Sequence, residues 1–290
     1  MGAEDMEAGS LDQWLVTFME DNWVVLAIAV VVISVAQLYY FVTKAPSDFL
    51  HPDAYQDLPL QMKQNVNYNT LFLRFKLPEE NQKLGLPVGQ HVVFKFTDNK
   101  GKDFYRPYTP VSDVGVTGHV DFVIKVYPKG VMSQYIDKLD VGDRIFVKGP
   151  KGKFAYGRNM KKTLGMLCGG TGITPMYQVL THILSDPNDK TRIQMIYANV
   201  TPDDILLQRD LDRLTAKHPM RFDVYYVIEK SAPDNWKGGV GYISKDMIKE
   251  HCPAPSGDIM MLTCGPTPMT DAMNTTLDEM GYTVDQKFKF

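Results

Sequence analysis

The sequence predicts an N-terminal transmembrane helix, an antiparallel β-barrel and then an α/β domain with a parallel sheet. Three observations carry that prediction. Between Asp21 and Lys44 lie 22 uncharged residues; from about residue 62 to 157 short runs alternate with period two; and from about 158 to 290 apolar runs alternate with helical stretches. The 290 residues are enough for two domains whose cores need no staples. The segments are 1–22, an acidic tail; 23–43, the anchor; 44–61, a tether; 62–157, the barrel; and 158–290, the α/β domain.

At 1.5 Å per residue the uncharged stretch reaches about 33 Å, enough for a hydrocarbon core of about 30 Å. Val24 to Val42 is interrupted only by Ser34 and Gln37, and no polar face of the kind a core helix shows is present. Trp23 at one end and Tyr39 and Tyr40 at the other stand where aromatic belts belong. Six acids (Glu4, Asp5, Glu7, Asp12, Glu20, Asp21) precede the span and Lys44 follows it, which places the body in the cytosol. The acidic start and long apolar run argue against a cleaved signal peptide, and the lack of arginine argues against a matrix-targeting peptide. Pro46, Pro52 and Pro59 among mixed polar residues read as the tether.

Beyond residue 43 the chain holds 31 bases against 28 acids. That excess is too small for a nucleic-acid protein and suits an acidic protein partner. Cys168, Cys252 and Cys264 have no close spacing, and His51, His91, His119, His182, His218 and His251 show no metal-ligand pattern. The sequence therefore offers no metal site, and the histidines read as ordinary surface or core residues. Redox chemistry would have to come from an organic cofactor or from a haem on another protein.

In the barrel half, Val120, Phe122, Ile124 and Val126 fall on one face of a strand and Asp121, Val123, Lys125 and Tyr127 on the other. Thr70 to Leu77, His91 to Thr97 and Arg144 to Lys148 are similar runs. In the second half the strand candidates are Leu164 to Cys168, Arg192 to Val200, Arg221 to Glu229 and Asp258 to Thr263. Thr201-Pro202-Asp203-Asp204 has the cap, proline and acids of a helix start, with Leu207, Leu211 and Leu214 spaced for a buried face. Such domains bind ligands beyond the carboxyl ends of their strands.

Four motifs stand at places where chemistry is expected. Cys168-Gly-Gly-Thr-Gly-Ile-Thr-Pro-Met176 leaves a strand and enters a helix; it is either a phosphate loop or a connection that needs small residues for packing. Leu262-Thr-Cys-Gly-Pro-Thr-Pro-Met269 does the same, with a thiol that either touches a flat ring or simply packs. Tyr105-Arg-Pro-Tyr-Thr-Pro110 offers a cation in Arg106, a ring in Tyr108 and a hydroxyl in Thr109, or else is a proline-flanked strand. Lys129-Gly-Val-Met-Ser-Gln-Tyr135 combines Gly130, a short helix and Ser133 as a second anion-binding start. Phosphate-binding turns in both halves would mean two dinucleotides, or one cofactor in each domain.

Arg106-Pro-Tyr-Thr, Phe122-Val-Ile-Lys-Val-Tyr127, Gly130-Val-Met-Ser133, Gly169-Gly-Thr-Gly-Ile-Thr-Pro-Met176 and Cys264-Gly-Pro-Thr-Pro-Met269 occur in the order found in NADH-cytochrome b5 reductases. The chain resembles that family over about residues 60 to 290, and its anchored, short form is most similar to the fungal microsomal members. The resemblance implies FAD on the barrel and NADH on the α/β domain, in a ferredoxin-reductase-like fold. It implies that Arg106 meets the FAD pyrophosphate, that Pro107 beside it is a cofactor-binding residue, that Tyr108 packs beside the flavin, and that Thr109 hydrogen-bonds near flavin N5. Val123, Ile124, Lys125 and Tyr127 would line the ring and ribityl region, Lys125 also holding NADH. Gly130, Val131, Met132 and Ser133 would supply the pyrophosphate turn.

By the same resemblance Gly169, Gly170, Thr171 and Gly172 would face NADH and Thr174 would reach back to the flavin. Cys264, Gly265 and Pro266, with Met269 behind them, would surround the nicotinamide. Thr109, Lys125 and Cys264 are the expected catalytic residues. Glu229 falls where the family carries an acid favouring NADH, since a carboxylate accepts the ribose 2′-hydroxyl and repels a 2′-phosphate. Val131 departs from the Lys of many relatives, leaving Lys161 and Lys162 as basic docking candidates. The implied reaction is hydride transfer from NADH to FAD, then single electrons to cytochrome b5 in trans. A second implied acceptor is an iron–sulfur protein of diphthamide synthesis. Endoplasmic reticulum and mitochondrial outer membrane both accept such an anchor. The rival readings are a related flavin reductase for quinone or ferric acceptors and a non-catalytic nucleotide sensor.

Overall fold

A computed structural model of the chain describes residues 8–43 and 48–290, with side chains described over 15–38 and from 48 onward. Glu4, Asp5, Glu7, Lys44 and Pro46, and the Asp12, Tyr39 and Tyr40 side chains, lie outside the described residues. The chain divides into two units, Met1–Pro46 and Ser47–Phe290.

The first unit is helix α1 (Ala8–Thr43). Its described apolar side chains, over residues 15–38, are exposed all round, and the candidate membrane span is Leu15–Leu38, 24 residues long. It begins eight residues before the start expected at Trp23, because the helix runs without a break through Glu20 and Asp21.

The second unit opens with six strands and one helix: β1 (Gln56–Asn67), β2 (Thr70–Lys76), β3 (His91–Thr97), β4 (Asp103–Tyr108), β5 (His119–Lys125), α2 (Val131–Asp137) and β6 (Arg144–Lys151). They form one barrel-like antiparallel sheet in the order β4-β3-β6-β1-β2-β5. Alternation does the sorting. Val120, Phe122 and Ile124 point into the barrel core, where Phe75, Phe94 and Phe122 meet edge to face at 4.9–6.0 Å between ring centres. Val123 and Phe72, on the opposite face, join the core of the second half instead. Asp121 is also buried, its carboxylate gripped by Arg74 through Nε at 2.7 Å and Nη2 at 2.8 Å. The stretch expected to be a tether is body from its middle onward: Phe49 and Leu50 are already in the core and β1 starts at Gln56. Pro59 hid that strand, yet a strand accommodates proline where no ladder hydrogen bond is required of its nitrogen.

The remaining elements are β7 (Thr163–Gly169), α3 (Ile173–Ser185), β8 (Arg192–Asn199), α4 (Gln208–Lys217), β9 (Phe222–Ile228), β10 (Gly239–Val240), α5 (Lys245–His251), β11 (Ile259–Cys264), α6 (Thr267–Glu279) and β12 (Lys287–Lys289). The strands form a parallel sheet in the order β10-β9-β8-β7-β11-β12. Strand order reverses at β7, so its boundary with β11 is the crevice where an open α/β sheet accepts a ligand. One difference from expectation lies at Thr201. The cap forms, with Thr201 and Asp204 bonding reciprocally, but only a 3₁₀ turn follows over Pro202–Asp204. Ile205 then turns extended, Ile205 and Leu206 are buried, and Leu207 adopts φ 57° before α4 begins. Burying those two side chains breaks the continuous helix that the leucine spacing suggests.

Candidate active site

Cys168 and Cys264 are ladder partners, so the turns leaving β7 and β11 lie side by side. Glycine permits that approach. A Cβ on Gly172 would stand 2.3 Å from the Cys264 carbonyl oxygen, and Gly170 adopts the left-handed φ of 53°. Tyr197, fully buried on β8, donates its hydroxyl to the Gly170 carbonyl at 3.0 Å and steadies the turn.

In front of the turns lies a cavity of about 610 Å³, within the usual range for cofactor sites. The barrel contributes Arg106, Pro107, Tyr108 and Thr109 from the end of β4, Val123, Ile124 and Lys125 from β5, and Tyr127 with Gly130, Val131, Met132 and Ser133. The α/β half contributes Thr171, Gly172, Thr174, Cys264 and Gly265. Most of the expected residues of both halves thus converge on one space. Gly169, Gly170, Pro266 and Met269 are not among the residues lining the cavity, and the Met269 sulfur packs where a Gly169 Cβ would be. Glu229 also lies outside the cavity, just past β9, with its amide on the Asn199 carbonyl at 2.9 Å and its carboxylate 3.5 Å from Lys230 Nζ.

The electrostatics suit an anionic, ring-bearing ligand. Arg106, Lys125, Lys153 and Lys289 line the cavity, and no Asp or Glu does among the described residues. Arg106 uses one guanidinium nitrogen on the Tyr105 carbonyl at 2.8 Å. Lys125 Nζ meets the Asp204 carboxylate at 2.7 Å. Burial pushes the Asp204 carboxyl up, but hydrogen bonds from Lys125, Tyr68 and Thr201 outweigh it and hold the pKa at about 2. Burial raises the Cys264 thiol to about 11 and the Tyr108 phenol still further from its ordinary value, so both face the cavity protonated. Cys264 is therefore a neutral thiol, not a nucleophile.

Two expected donors are already engaged. The Ser133 hydroxyl donates to the Gly130 carbonyl at 3.0 Å and accepts from the Tyr127 amide at 3.1 Å, bracing the turn it was expected to open to a phosphate. Thr174 Oγ1 donates to the Thr171 carbonyl at 3.2 Å. Sequence reasoning also missed part of the wall. His91, read as an ordinary histidine, lines the cavity, half-buried at the start of β3, and burial lowers its pKa. Phe154, Phe288 and Phe290 form an aromatic cluster there, at 4.9–5.4 Å between ring centres. The alternating Lys287-Phe-Lys-Phe290 was the available signal, too short to stand alone.

Residues 57–156 match the model of the oxidoreductase FAD-binding domain and residues 166–275 that of the oxidoreductase NAD-binding domain. The chain is 42% identical over 273 residues to an NADH-cytochrome b5 reductase 1 of Arabidopsis thaliana, covering 93% of this chain and 97% of that one. The chain belongs to the NADH-cytochrome b5 reductase family. A family member from Dictyostelium discoideum is 48% identical over 241 residues, 83% of each chain. The cytochrome b5 reductase domain of Ulva prolifera nitrate reductase superposes with a TM-score of 0.80 at 34% identity, covering 84% of this chain and all of that one. The fold is ferredoxin-reductase-like, and FAD and NADH are the cofactors of its two domains. The cavity fits them: its cations suit phosphates, and its apolar wall of Tyr108 and Val123 suits a flat ring.

Proposed function

We propose that the chain takes hydride from NADH onto FAD and passes electrons one at a time to cytochrome b5, held to a membrane by α1. The observation that supports this is the shared cavity, where the flavin-side residues of the barrel and the nucleotide turns of the α/β half line one space. Bound FAD supplies the conversion of a two-electron donor into single electrons, while the protein supplies position and electrostatics.

Arg106 would pair with the FAD pyrophosphate, and Tyr108 and Val123 would pack on its ring, with the Ile124 side chain turned into the barrel core behind them. The Thr109 hydroxyl would hydrogen-bond near flavin N5. Thr171, Gly172 and Gly265 would hold NADH with its nicotinamide against that ring, the Cys264 thiol packing alongside. Holding two reactants in contact removes much of the entropic barrier to transfer. Phe154, Phe288 and Phe290 would keep water from the reacting edge. Glu229 would accept the ribose hydroxyls and disfavour NADPH. Gly130 with Met132 and Val131 would contact FAD through backbone, Ser133 and Thr174 shaping turns.

The anchor would place the body on the cytosolic face of the endoplasmic reticulum or the mitochondrial outer membrane, concentrating it near a membrane-bound acceptor. Lys161 and Lys162 would meet an acidic partner. The diphthamide-synthesis iron–sulfur protein would draw on the same reduced cofactor. Steady-state turnover of the full chain in detergent, with cytochrome b5, a quinone and a ferric chelate as competing acceptors, tests the reading. The highest kcat/KM is expected with cytochrome b5, falling as salt rises. Reduction of quinone or ferric chelate with cytochrome b5 left oxidised would refute it.

A further inference from the structure

Asp204 lies on the turn after β8, outside the cavity, yet one oxygen of its carboxylate is held entirely by the barrel half. Oδ1 accepts from Lys125 Nζ and from the Tyr68 hydroxyl, each at 2.7 Å, and both donors belong to the barrel half. Oδ2 accepts from Thr201 of its own turn, through the hydroxyl at 2.8 Å and the amide at 3.2 Å. Beside it Asn67, also in the barrel half, donates its side-chain amide to the Asp203 carbonyl at 2.9 Å. Three barrel donors thus clasp two consecutive residues of the nucleotide half.

The clasp touches the cavity wall at both ends. Lys125 lines the cavity with its side chain only 15% exposed, where an ammonium without a counter-charge would be costly. An ammonium has three N–H donors; Asp204 takes one, and the others remain for an oxygen in the cavity. At the other end, Leu206 donates its amide to the Tyr197 hydroxyl at 3.2 Å, and that hydroxyl in turn donates to the Gly170 carbonyl. A path therefore runs from Lys125 by hydrogen bond to Asp204, along the backbone through Ile205 to Leu206, and by hydrogen bonds through Tyr197 to Gly170, in the turn that carries Thr171 and Gly172.

We propose that Asp204 is a positioning residue for hydride transfer: it holds the Lys125 ammonium at the cavity wall and sets the glycine turn against the barrel. The proposal rests on the NADH-to-FAD reading above. Side-chain carboxylate in the nucleotide half and ammonium in the barrel half meet only when the halves are apposed, and transfer needs that same apposition. Asp204 acts through Lys125 and touches no reacting atom.

The test is anaerobic stopped-flow reduction of the full-length, FAD-loaded chain by NADH, for the wild type, Asp204→Asn, Lys125→Met and the double variant. Asp204→Asn is expected to keep its bound FAD and to lower the limiting rate of flavin reduction about tenfold or more. In the Lys125→Met background the same substitution should change the rate less than about twofold, because residues that act through one another are not additive. An Asp204→Asn rate within about twofold of wild type, or effects of the two single changes that simply multiply, would overturn the proposal. A purely structural role would lower the melting temperature and leave the rate and the non-additivity unmoved. Should Asp204→Asn not hold FAD, Tyr68→Phe carries the test, since Tyr68 is 73% exposed and its loss of one hydroxyl disturbs no core. A fall of about two- to fivefold is expected there and an unchanged rate refutes. A wild-type chain that NADH does not bleach would instead defeat the underlying reading.

Discussion

Replacing Gly172 by Ala should slow flavin reduction without emptying the flavin site. The added Cβ would stand 2.3 Å from the Cys264 carbonyl oxygen and 2.8 Å from the Gly265 amide nitrogen, against an ordinary contact of 3.4 Å or more. The neighbour is backbone, so no side chain can swing aside. The turns after β7 and β11 must part by about 1 Å, and a displacement of that size near reacting groups costs about 10²-fold in rate. Overpacking of this kind also destabilises by about 1–3 kcal/mol. Because the barrel residues are untouched, FAD content measured by the visible spectrum should match wild type. Anaerobic stopped flow at saturating NADH reads the limiting rate. A rate within about twofold of wild type, in a variant with full FAD content, would show that the juxtaposed turns do not set the transfer geometry.

Thr109→Val keeps side-chain volume and removes the hydroxyl expected near flavin N5; the limiting reduction rate should fall about tenfold while FAD stays bound, and an unchanged stopped-flow trace would count against that role. Glu229→Thr removes the carboxylate past β9, and the ratio of kcat/KM for NADH over NADPH should narrow about tenfold; a fixed ratio would remove Glu229 from the specificity site. The Asp204 carboxyl, ordinarily near 3.8 and held at about 2 in the fold, contributes about 2 kcal/mol that is fully present above pH 5 and lost as pH falls through 2. Denaturation midpoints should therefore show a shallower acid dependence in Asp204→Asn than in wild type, and parallel curves would refute it. With its thiol raised to about 11, Cys264 should resist iodoacetamide at pH 7.5, where rapid alkylation with loss of activity would indicate a thiolate.

Much of the fold was legible wherever one face of an element is buried and the other is not. The β5 run is the clearest case: its alternation predicts a core face of Val120, Phe122 and Ile124, and the structure adds that the other face, Val123 and Lys125, meets the second half and the cavity. Strand β1 was hidden because Pro59 reads locally as a breaker, whereas its pairing with β2 and β6 is decided by residues far along the chain. Leu207 misled for the converse reason, since a helical spacing of leucines says nothing about Ile205 and Leu206 being drawn into the core ahead of it. Of the site, the motif residues were legible because glycine, proline and arginine at strand ends carry specific physical uses. His91, Phe288 and Phe290 were not, since a single histidine or a terminal pair of phenylalanines has no periodic signature. The partnership of Lys125 with Asp204 joins residues 79 positions apart, and only the folded chain brings it into view.

The most direct test of the account is a visible spectrum of the full chain in detergent, recorded before and after anaerobic NADH and again after cytochrome b5 is added. The account predicts a bound FAD band that NADH bleaches, followed by appearance of reduced haem as the flavin band returns. A bleached flavin that leaves cytochrome b5 oxidised would contradict the proposed acceptor, and a chain that cannot take up FAD, or whose flavin NADH does not bleach, would contradict the account at its centre.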